Sequence, residues 1–332
     1  TFYHFGIGED AVRGMTAASS DFFAAPPAEY GDTALWASKP ALFIAEAAMV
    51  PQLEALHAEM DRFTSTVFRA SERDMLDLVP VLKTGTGGIV AGVIDTGGRK
   101  LDADALLQTN ARAFRHTGGT IIFDATVTAI SRAEGGWDCD AGGERLFAKT
   151  IVNAGGAWAD EIAFLAGVKP LGLQPLRRTI IGFAPPAGLD VAAWPFTKTV
   201  QDDGFYMLPD AGRLLASPMD TTPSPPCDVQ PEEYEMALAA WRVEEATSLK
   251  VDRISARWAG LRTFTADKVP TAGFATDCPN FFWLAGQGGY GLQTAPAMAM
   301  ATEALMFGLP WPEALASRGV QPQHLLPDRL KT

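Results

Sequence analysis

A G-x-G-x-x-G motif lies near the carboxyl end of this 332-residue chain, at residues 286–291. It follows the apolar run 281–285 and precedes a helix-forming stretch from about Leu292, so the sequence predicts strand, glycine turn and helix. There, backbone N–H groups and a helix N-terminus can approach an electron-rich or anionic cofactor. A dinucleotide fingerprint instead opens a βαβ unit of about 30 residues, whereas Pro310 and Pro312 follow here and predict no second strand. The motif is therefore either a plain tight turn or part of a cofactor site built mainly by another segment.

The chain has 39 acidic and 27 basic residues, a formal net charge of −12. Nucleic acids and anionic membranes attract clustered Lys and Arg, so this balance excludes a nucleic-acid partner and favours a small molecule. The cysteines and histidines show neither a disulfide framework nor metal-ligand spacing, so no metal is expected. No run of about 18 apolar residues predicts a transmembrane segment. We expect a cytoplasmic protein with reduced thiols, or one attached peripherally to the inner membrane.

Helices and strands alternate along the first half of the chain. Apolar residues spaced by three and four predict helices over residues 51–63 and 102–116. The apolar run 120–123 predicts a buried strand, and residues 150–153 predict a parallel-sheet strand. That strand enters the small-residue turn 154–156, which would allow another backbone or a cofactor to approach closely.

The sequence changes character between Leu171 and Ser217, where short alternating segments indicate a β-rich unit. A helix over 231–247 follows, and residues 250–259 are expected to form a strand that returns to the first domain. This organisation predicts an α/β domain with an inserted antiparallel sheet.

Five ordered strings, spread over residues 152–294, together resemble a known family. The resemblance rests on V-N-A-G-G-A-W-A-D (152–160), P-L-R-R-T (175–179), F-Y-M-L-P-D (205–210), W-A-G-L-R-T-F (258–264) and F-F-W-L-A-G-Q-G-G-Y-G-L-Q-T (281–294). The chain resembles the D-amino-acid oxidase family of FAD-dependent oxidoreductases over nearly its whole length. Within that family it is most similar to the bacterial D-arginine dehydrogenases.

The resemblance implies an α/β fold: a Rossmann-like FAD-binding domain of the glutathione-reductase and D-amino-acid-oxidase type, with an inserted antiparallel-sheet substrate domain. The expected FAD-binding domain comprises residues 1–35, 100–170 and 256–332, and the substrate domain comprises 36–99 and 171–255. Family members begin with a βαβ unit whose glycines cradle the FAD pyrophosphate. This sequence is expected to start after that unit, which would make it N-terminally truncated and weak in FAD binding.

The implied reaction is oxidation of a Cα–N bond, with hydride passing from Cα to flavin N5 and the imine hydrolysing to a 2-keto acid and ammonia. The resemblance assigns Arg262 and Tyr206 to the substrate carboxylate, Arg178 to the substrate side and the Gly289 carbonyl to the substrate nitrogen. A planar guanidinium suits a carboxylate because it can bind both oxygens. The alternative is a surface ion pair for each arginine and a core position for Tyr206.

Two glycine-containing turns are implied to bind FAD. The late turn and the helix after it would stabilise negative charge at the flavin N1–C2=O edge. The implied FAD-binding residues are Val127, Ala154, Gly155, Gly156, Trp158, Gln287, Gly288, Gly289, Tyr290, Gly291 and Leu292.

The side-chain pocket departs from the arginine-oxidising relatives. Its expected residues are His4, Phe5, Ala41, Phe196 and Lys198. Ala41 stands where those relatives have an acidic residue, and a buried cationic substrate would then be poorly compensated. We expect a neutral or apolar D-amino acid, with Lys198 either exposed or admitting an acidic one. The alternatives are a secondary amine resembling sarcosine, glycine or proline, a 2-hydroxy acid, or an inactive truncated homologue. The electron acceptor stays open between O₂, a quinone and another carrier.

Overall fold

The computed structural model describes residues 1–330, which form four β-sheets with helices packed around them. The strands are β1 (Phe2–Tyr3), β2 (Trp36–Ser38), β3 (Ala41–Glu46), β4 (Val67–Ala70), β5 (Ile89–Asp95), β6 (Arg99–Leu101), β7 (Val127–Ala133), β8 (Gly136–Ala141), β9 (Glu144–Ala148), β10 (Ile151–Asn153), β11 (Gln174–Phe183), β12 (Phe196–Thr199), β13 (Tyr206–Asp210), β14 (Arg213–Ser217), β15 (Thr222–Pro223), β16 (Ile254–Phe264), β17 (Thr271–Phe274) and β18 (Phe281–Ala285). The helices are α1 (Asp10–Ala18), α2 (Ser20–Ala24), α3 (Val50–Asp61), α4 (Glu72–Leu78), α5 (Ala103–His116), α6 (Ala159–Leu165), α7 (Glu233–Ala246), α8 (Gly291–Phe307) and α9 (Glu313–Ala316). The mixed α/β fold and the helices predicted near 51–63 and 102–116 are confirmed.

The largest sheet has nine strands in the order β15-β11-β14-β13-β12-β3-β5-β4, with β16 paired to β11. Its neighbours are antiparallel except β12 and β3, which run parallel. A long connection separates these two strands in sequence, and only such a connection permits parallel pairing. β16 pairs with β11 from Phe264 to Ile254. Residues 254–264 therefore extend this sheet, although the predicted boundary assigned 256 onward to the FAD-binding domain.

The two faces of the nine-stranded sheet are covered differently. Side chains alternate along each strand, so Phe43, Phe196 and Tyr206 contribute to one apolar core while Ile44 and Met207 contribute to the other. Helices α4 and α7 pack on the second face. On the first face, α3 covers β3, β4 and β5, which leaves the half formed by β11 to β16 to line a cavity.

A three-stranded sheet of order β10-β18-β17 lies beside it, with β10 and β18 parallel. Helices α1 and α8 pack together, and α8 also contacts β17. A further meander contains β7, β8 and β9. The strand predicted at 120–123 is not formed. No strand within residues 1–330 pairs with this segment, and the Phe123 side chain stays 72% exposed.

Candidate functional site

Two turns rich in small residues follow neighbouring parallel strands. β10 runs into the turn 154–156, and β18 runs into the turn 286–290. Asn153 is in register with Trp283, so the two strands end at the same edge of the sheet. In open α/β sheets, ligands bind outside the carboxyl ends of the strands. This edge is therefore the position at which a cofactor would meet both turns.

The late glycine turn is held by backbone geometry and by β16. Gly286 and Gly288 have φ values of 73° and 55°, in the left-handed region that favours glycine. The Gly288 N–H donates to the Thr263 carbonyl oxygen at 2.8 Å. A side chain at Gly288 would place its Cβ 2.6 Å from the Phe264 ring. The turn is thus fixed against the strand that contains Arg262.

Helix α8 begins directly after this turn. Its N-cap residue, Tyr290, provides no side-chain cap, and the first N–H groups of a helix have no intrahelical acceptor. The N–H groups of Gly288 and Tyr290 donate to Thr263 and Gln287. Within residues 1–330 this leaves the N–H groups of Gly289, Gly291 and Leu292 without a backbone acceptor. They can face an anionic or electron-rich group, and the helix dipole favours the same charge.

The side chain of Tyr290 lies away from this edge. It is buried, its ring packs edge-on against Phe264 at 6.2 Å, and its hydroxyl donates to the Lys268 carbonyl oxygen. Burial raises the pKa of the Tyr290 hydroxyl. Its contribution to a cofactor site is therefore limited to the backbone.

The early turn is tied together by Asn153. Its Nδ2 donates to the Ala159 carbonyl oxygen at 2.7 Å, and its Oδ1 accepts from the Gly155 N–H at 3.2 Å. Gly156 has a φ of 58° and open space where a side chain would stand. Ala154, Gly156 and Trp158 are exposed, whereas Val127, Gly155 and Gln287 are half-buried. Ala154, Gly155 and Gly156 thus present backbone and small side chains at the end of β10.

A cavity of about 310 Å³ opens between the nine-stranded sheet, the N-terminal segment and the start of α8. Its volume suits a small metabolite. Its lining residues include Phe2, His4, Arg178, Phe196, Lys198, Tyr206, Trp258, Arg262, Gly289 and Gln293. The predicted substrate residues Arg262, Tyr206, Arg178, Gly289, His4, Phe196 and Lys198 therefore meet in one place.

Strand register explains why the two arginines converge. Arg178 on β11 pairs with Gly260 on β16, and Arg262 lies two residues further along the same face. A Cβ built at Gly260 would meet no heavy atom within 4 Å, so the space above this position is open. A Cβ at Gly289 would lie 2.8 Å from Nη1 of Arg262, so the glycine turn packs directly on this guanidinium. Within residues 1–330, no carboxylate forms an ion pair with Arg262.

Arg178 is more fully enclosed. Its Nε donates to the Asp220 carbonyl oxygen at 2.8 Å, and the Asp220 carboxylate lies 3.9 Å away. Burial and the neighbouring positive charge of Arg262 lower the pKa of Arg178 to about 10, against the opposing effects of Tyr206 and Asp220. The guanidinium therefore stays protonated at neutral pH, beside the Tyr206 side chain.

His4 is a neutral imidazole in the cavity wall. Its Nδ1 accepts from the Gly6 N–H at 3.0 Å, which assigns the proton to Nε2. Burial, followed by Lys198, Arg13 and Arg262, lowers the pKa of His4 to about 3. The ring stacks on Phe196 with centroids 5.2 Å apart. It can donate a hydrogen bond, but it is a weak base at neutral pH.

Lys198 enters the cavity from β12. It pairs with Tyr206 on β13 and lies beside Phe43 on β3. Its Nζ donates to the Thr199 carbonyl oxygen at 3.0 Å. Burial lowers the pKa of Lys198 to about 8; Asp202 opposes this shift and Arg178 adds to it. An ammonium group in the wall of an internal cavity is unusual without a carboxylate partner.

Two predicted pocket residues lie elsewhere. Phe2 and His4 face the cavity, so alternation along the extended segment turns Phe5 to the opposite side, where it stacks on Phe63. Ala41 is the register partner of Phe196 but is covered by the core. Neither residue lines the cavity, in contrast to the prediction.

Phe2, Trp258 and Gln293 also line the cavity, although the sequence did not identify them as site residues. Gln293 holds the N-terminal segment: its Nε2 donates to the His4 carbonyl oxygen at 3.2 Å and to Thr16 Oγ1 at 2.8 Å. Trp258 shares the face of Arg262 at an even spacing, and Phe2 shares that of His4. The two-residue periodicity of a strand would have identified Phe2 and Trp258. For Gln293, the available signal was a glutamine within an otherwise apolar helix.

Within residues 1–330, no three His, Cys, Asp or Glu side chains are grouped closely enough to hold a metal ion. The described helices also include none with the length and apolarity of a membrane span. The polar groups that line the cavity are guanidinium, ammonium, phenol, imidazole, amide and backbone groups. These groups bind carboxylates and stabilise developing negative charge.

Solved structures share this fold. The L-α-glycerophosphate oxidase of Mycoplasma pneumoniae, solved with FAD bound, has a TM-score of 0.77 at 18% identity. The match covers 92% of this chain and 83% of the oxidase chain. The glycine oxidase of Geobacillus kaustophilus has a TM-score of 0.74 at 18% identity, covering 89% and 78%.

A curated human protein, mitochondrial dimethylglycine dehydrogenase, is 27% identical over 115 residues. That match spans 32% of this chain and 13% of the human protein. The family model for DAO, the FAD-dependent oxidoreductases, matches residues 2–305. The chain therefore belongs to the DAO family of FAD-dependent oxidoreductases.

Proposed function

We propose that this protein oxidises the Cα–N bond of an α-amino acid, with the D configuration implied by its resemblance to D-amino-acid oxidases. The supporting observation is that Arg262 and Tyr206 line the same cavity as Gly289, at the N-terminus of α8. A carboxylate-binding pair thus stands beside the backbone groups that suit a flavin. Glycine oxidase and dimethylglycine dehydrogenase, two proteins that this chain resembles, are named for amino-acid substrates.

The residues present fit FAD. The free N–H groups at the start of α8 suit the electron-rich edge of the flavin, and the open space at Gly156 allows close approach of a cofactor to the early turn. When bound, FAD supplies the hydride acceptor. Gly289, Gly291 and Leu292 would stabilise the negative charge that develops during reduction.

The protein positions the substrate around its carboxylate. The Arg262 guanidinium can bind both carboxylate oxygens, and the Tyr206 hydroxyl can donate one further hydrogen bond. The Gly289 carbonyl oxygen accepts from the substrate nitrogen. Together these contacts orient Cα toward the start of α8, and the aromatic residues Phe2, Phe196 and Trp258 restrict access of water.

The cavity also favours the reactive form of the substrate. A substrate amine must lose its proton before hydride can leave Cα. Arg178, Lys198 and Arg262 are positively charged neighbours, and like charges lower the pKa of an ammonium group. The cavity would therefore stabilise the neutral amine without a dedicated base, which agrees with the low pKa of His4.

A turnover assay on FAD-loaded protein tests the proposal. Matched sets of D-amino acids, L-amino acids, N-methylated amino acids and 2-hydroxy acids should show oxidation of D-amino acids with release of ammonia. Arg262→Met should raise KM for these substrates by about 100-fold, the effect of losing charged hydrogen bonds. If the protein oxidises 2-hydroxy acids or secondary amines in preference to D-amino acids, the proposal is overturned in favour of those reactions.

A further inference from the structure

The cavity contains more positive charge than one amino-acid carboxylate can balance. Arg178, Lys198 and Arg262 all line it, and no Asp or Glu is among its lining residues. The nearest carboxylate to this set, Asp220, lies 3.9 Å from Arg178 Nε. Buried charges are costly unless they are paired. Two cationic groups, Lys198 and Arg262, thus stand in the wall without an ion pair to any residue in 1–330.

Lys198 and Arg262 approach the cavity from two strands that lie four positions apart in the sheet. The strand order from one to the other is β16, β11, β14, β13 and β12. Four strand spacings of about 4.8 Å place their backbones up to roughly 19 Å apart in a flat sheet. Arg178 lies between them. A carboxylate held by Arg262 leaves Lys198 facing the distal part of the substrate.

Lys198 has hydrogen-bonding capacity to spare. An ammonium group has three donors, and Nζ donates one to the Thr199 carbonyl oxygen. The other charged groups that influence it are Arg178 and Asp202. Asp202 lies in an exposed turn and forms no ion pair with Lys198. The remaining donors can therefore serve a ligand.

We propose that the substrate carries a second carboxylate at the end of its side chain, and that Lys198 binds this group with support from Arg178. The proposal rests on the proposed function and names the substrate class as acidic D-amino acids, similar in size to aspartate or glutamate. An amino acid with two carboxylates and a neutral amine carries two negative charges. These would balance the unpaired positive charges of Lys198 and Arg262. The sequence predicted a substrate with a neutral side chain, which an exposed Lys198 would have favoured. Because Lys198 instead lies in the cavity wall, a substrate with an acidic side chain is favoured.

The acidic and amide forms of one side chain provide a matched comparison. With FAD-loaded protein, kcat/KM for D-Glu and D-Asp should exceed that for D-Gln and D-Asn by about 10- to 100-fold, the effect of one charged hydrogen bond. Lys198→Met keeps an unbranched side chain, one heavy atom shorter, and removes the charge. This variant should reduce the acid-to-amide ratio by the same factor, mainly through KM. Lys169→Met, at an exposed position, should leave the ratio unchanged.

Binding of unreactive acids supplies a second measurement. Glutarate should bind the wild-type protein at least 10-fold more tightly than butyrate in calorimetry, and Lys198→Met should remove the difference. Equal kcat/KM for acid and amide substrates, with D-amino acids still oxidised, would overturn the acidic-substrate proposal alone. If no amino acid is oxidised by the FAD-loaded protein, the proposed function itself fails.

Discussion

Gly289 is predicted to control the position of the Arg262 guanidinium. In Gly289→Ala, the new Cβ would lie 2.8 Å from Nη1, 3.1 Å from Cζ and 3.3 Å from Cδ of Arg262. Carbon atoms pack at about 3.5–4.0 Å, so the guanidinium must move by several tenths of an ångström. The φ of Gly289 lies outside the left-handed region, so alanine imposes no backbone strain. The displacement therefore affects a flexible side chain rather than the fold.

The expected cost falls on substrate binding. A hydrogen bond to a charged group contributes about 1.5–3 kcal/mol, and about 1.4 kcal/mol corresponds to a factor of ten. Loss of one Arg262–carboxylate bond should therefore reduce kcat/KM by about 10- to 150-fold. Unfolding free energy should change by less than about 1 kcal/mol, since alanine also reduces the freedom of the unfolded chain.

A double-mutant cycle isolates the mechanism. Steady-state kinetics would compare Gly289→Ala in the wild-type and Arg262→Ala backgrounds, with urea unfolding as the control for stability. Because Arg262→Ala removes the displaced atoms, Gly289→Ala should have little further effect there. An equal loss in both backgrounds would refute the argument that Gly289 acts through Arg262.

Three further predictions concern the cavity wall. In the free protein, burial holds the pKa of His4 near 3, below its unfolded value. The folded state therefore binds fewer protons than the unfolded state and loses stability as pH falls below about 6.5. His4→Gln should weaken this dependence of the unfolding free energy on pH in urea titrations, and an unchanged dependence would contradict the prediction. Lys198, with a pKa of about 8, should lose its charge as pH rises through that value. The acid-to-amide ratio should therefore fall between about pH 7 and 9 in wild type but not in Lys198→Met. The other titratable groups around Lys198 include Arg178, Arg262, Asp202, Tyr206, neutral His4 and the N-terminal residue Thr1, and a flat ratio in wild type would argue against Lys198. Gln293→Leu removes the donor to the His4 carbonyl oxygen and to Thr16 Oγ1, which keeps its own bond to the Val12 carbonyl oxygen. This variant should reduce the unfolding free energy by about 1–3 kcal/mol. A loss below about 0.5 kcal/mol would contradict a stabilising role for these bonds.

The local features of the site could be predicted because they depend on short segments. A strand, a glycine turn and a helix within residues 281–307 define the start of α8 without knowledge of distant contacts. The pairing of Arg262 with Tyr206 followed from the family resemblance. Arg262, Tyr206 and the turn residue Gly289 all line the cavity.

Non-local pairing was not predictable from the sequence in the same way. The association of β16 with β11 and the parallel pairing of β12 with β3 join segments far apart in the chain. Alternation also permits either face of a strand to be buried, so the side occupied by Phe5 or Lys198 depends on what packs against it. The predicted strand at 120–123 failed for a related reason. Apolar composition alone does not supply a partner strand, and Phe123 is exposed.

Anaerobic titration of the FAD-loaded protein with a D-amino acid tests the central claim most directly. We predict that the flavin absorbance is bleached in proportion to added substrate, with one 2-keto acid formed for each flavin reduced. Arg262→Met should bleach only at much higher substrate concentration. A flavin that stays oxidised with every D-amino acid, including D-Asp and D-Glu, would contradict the account.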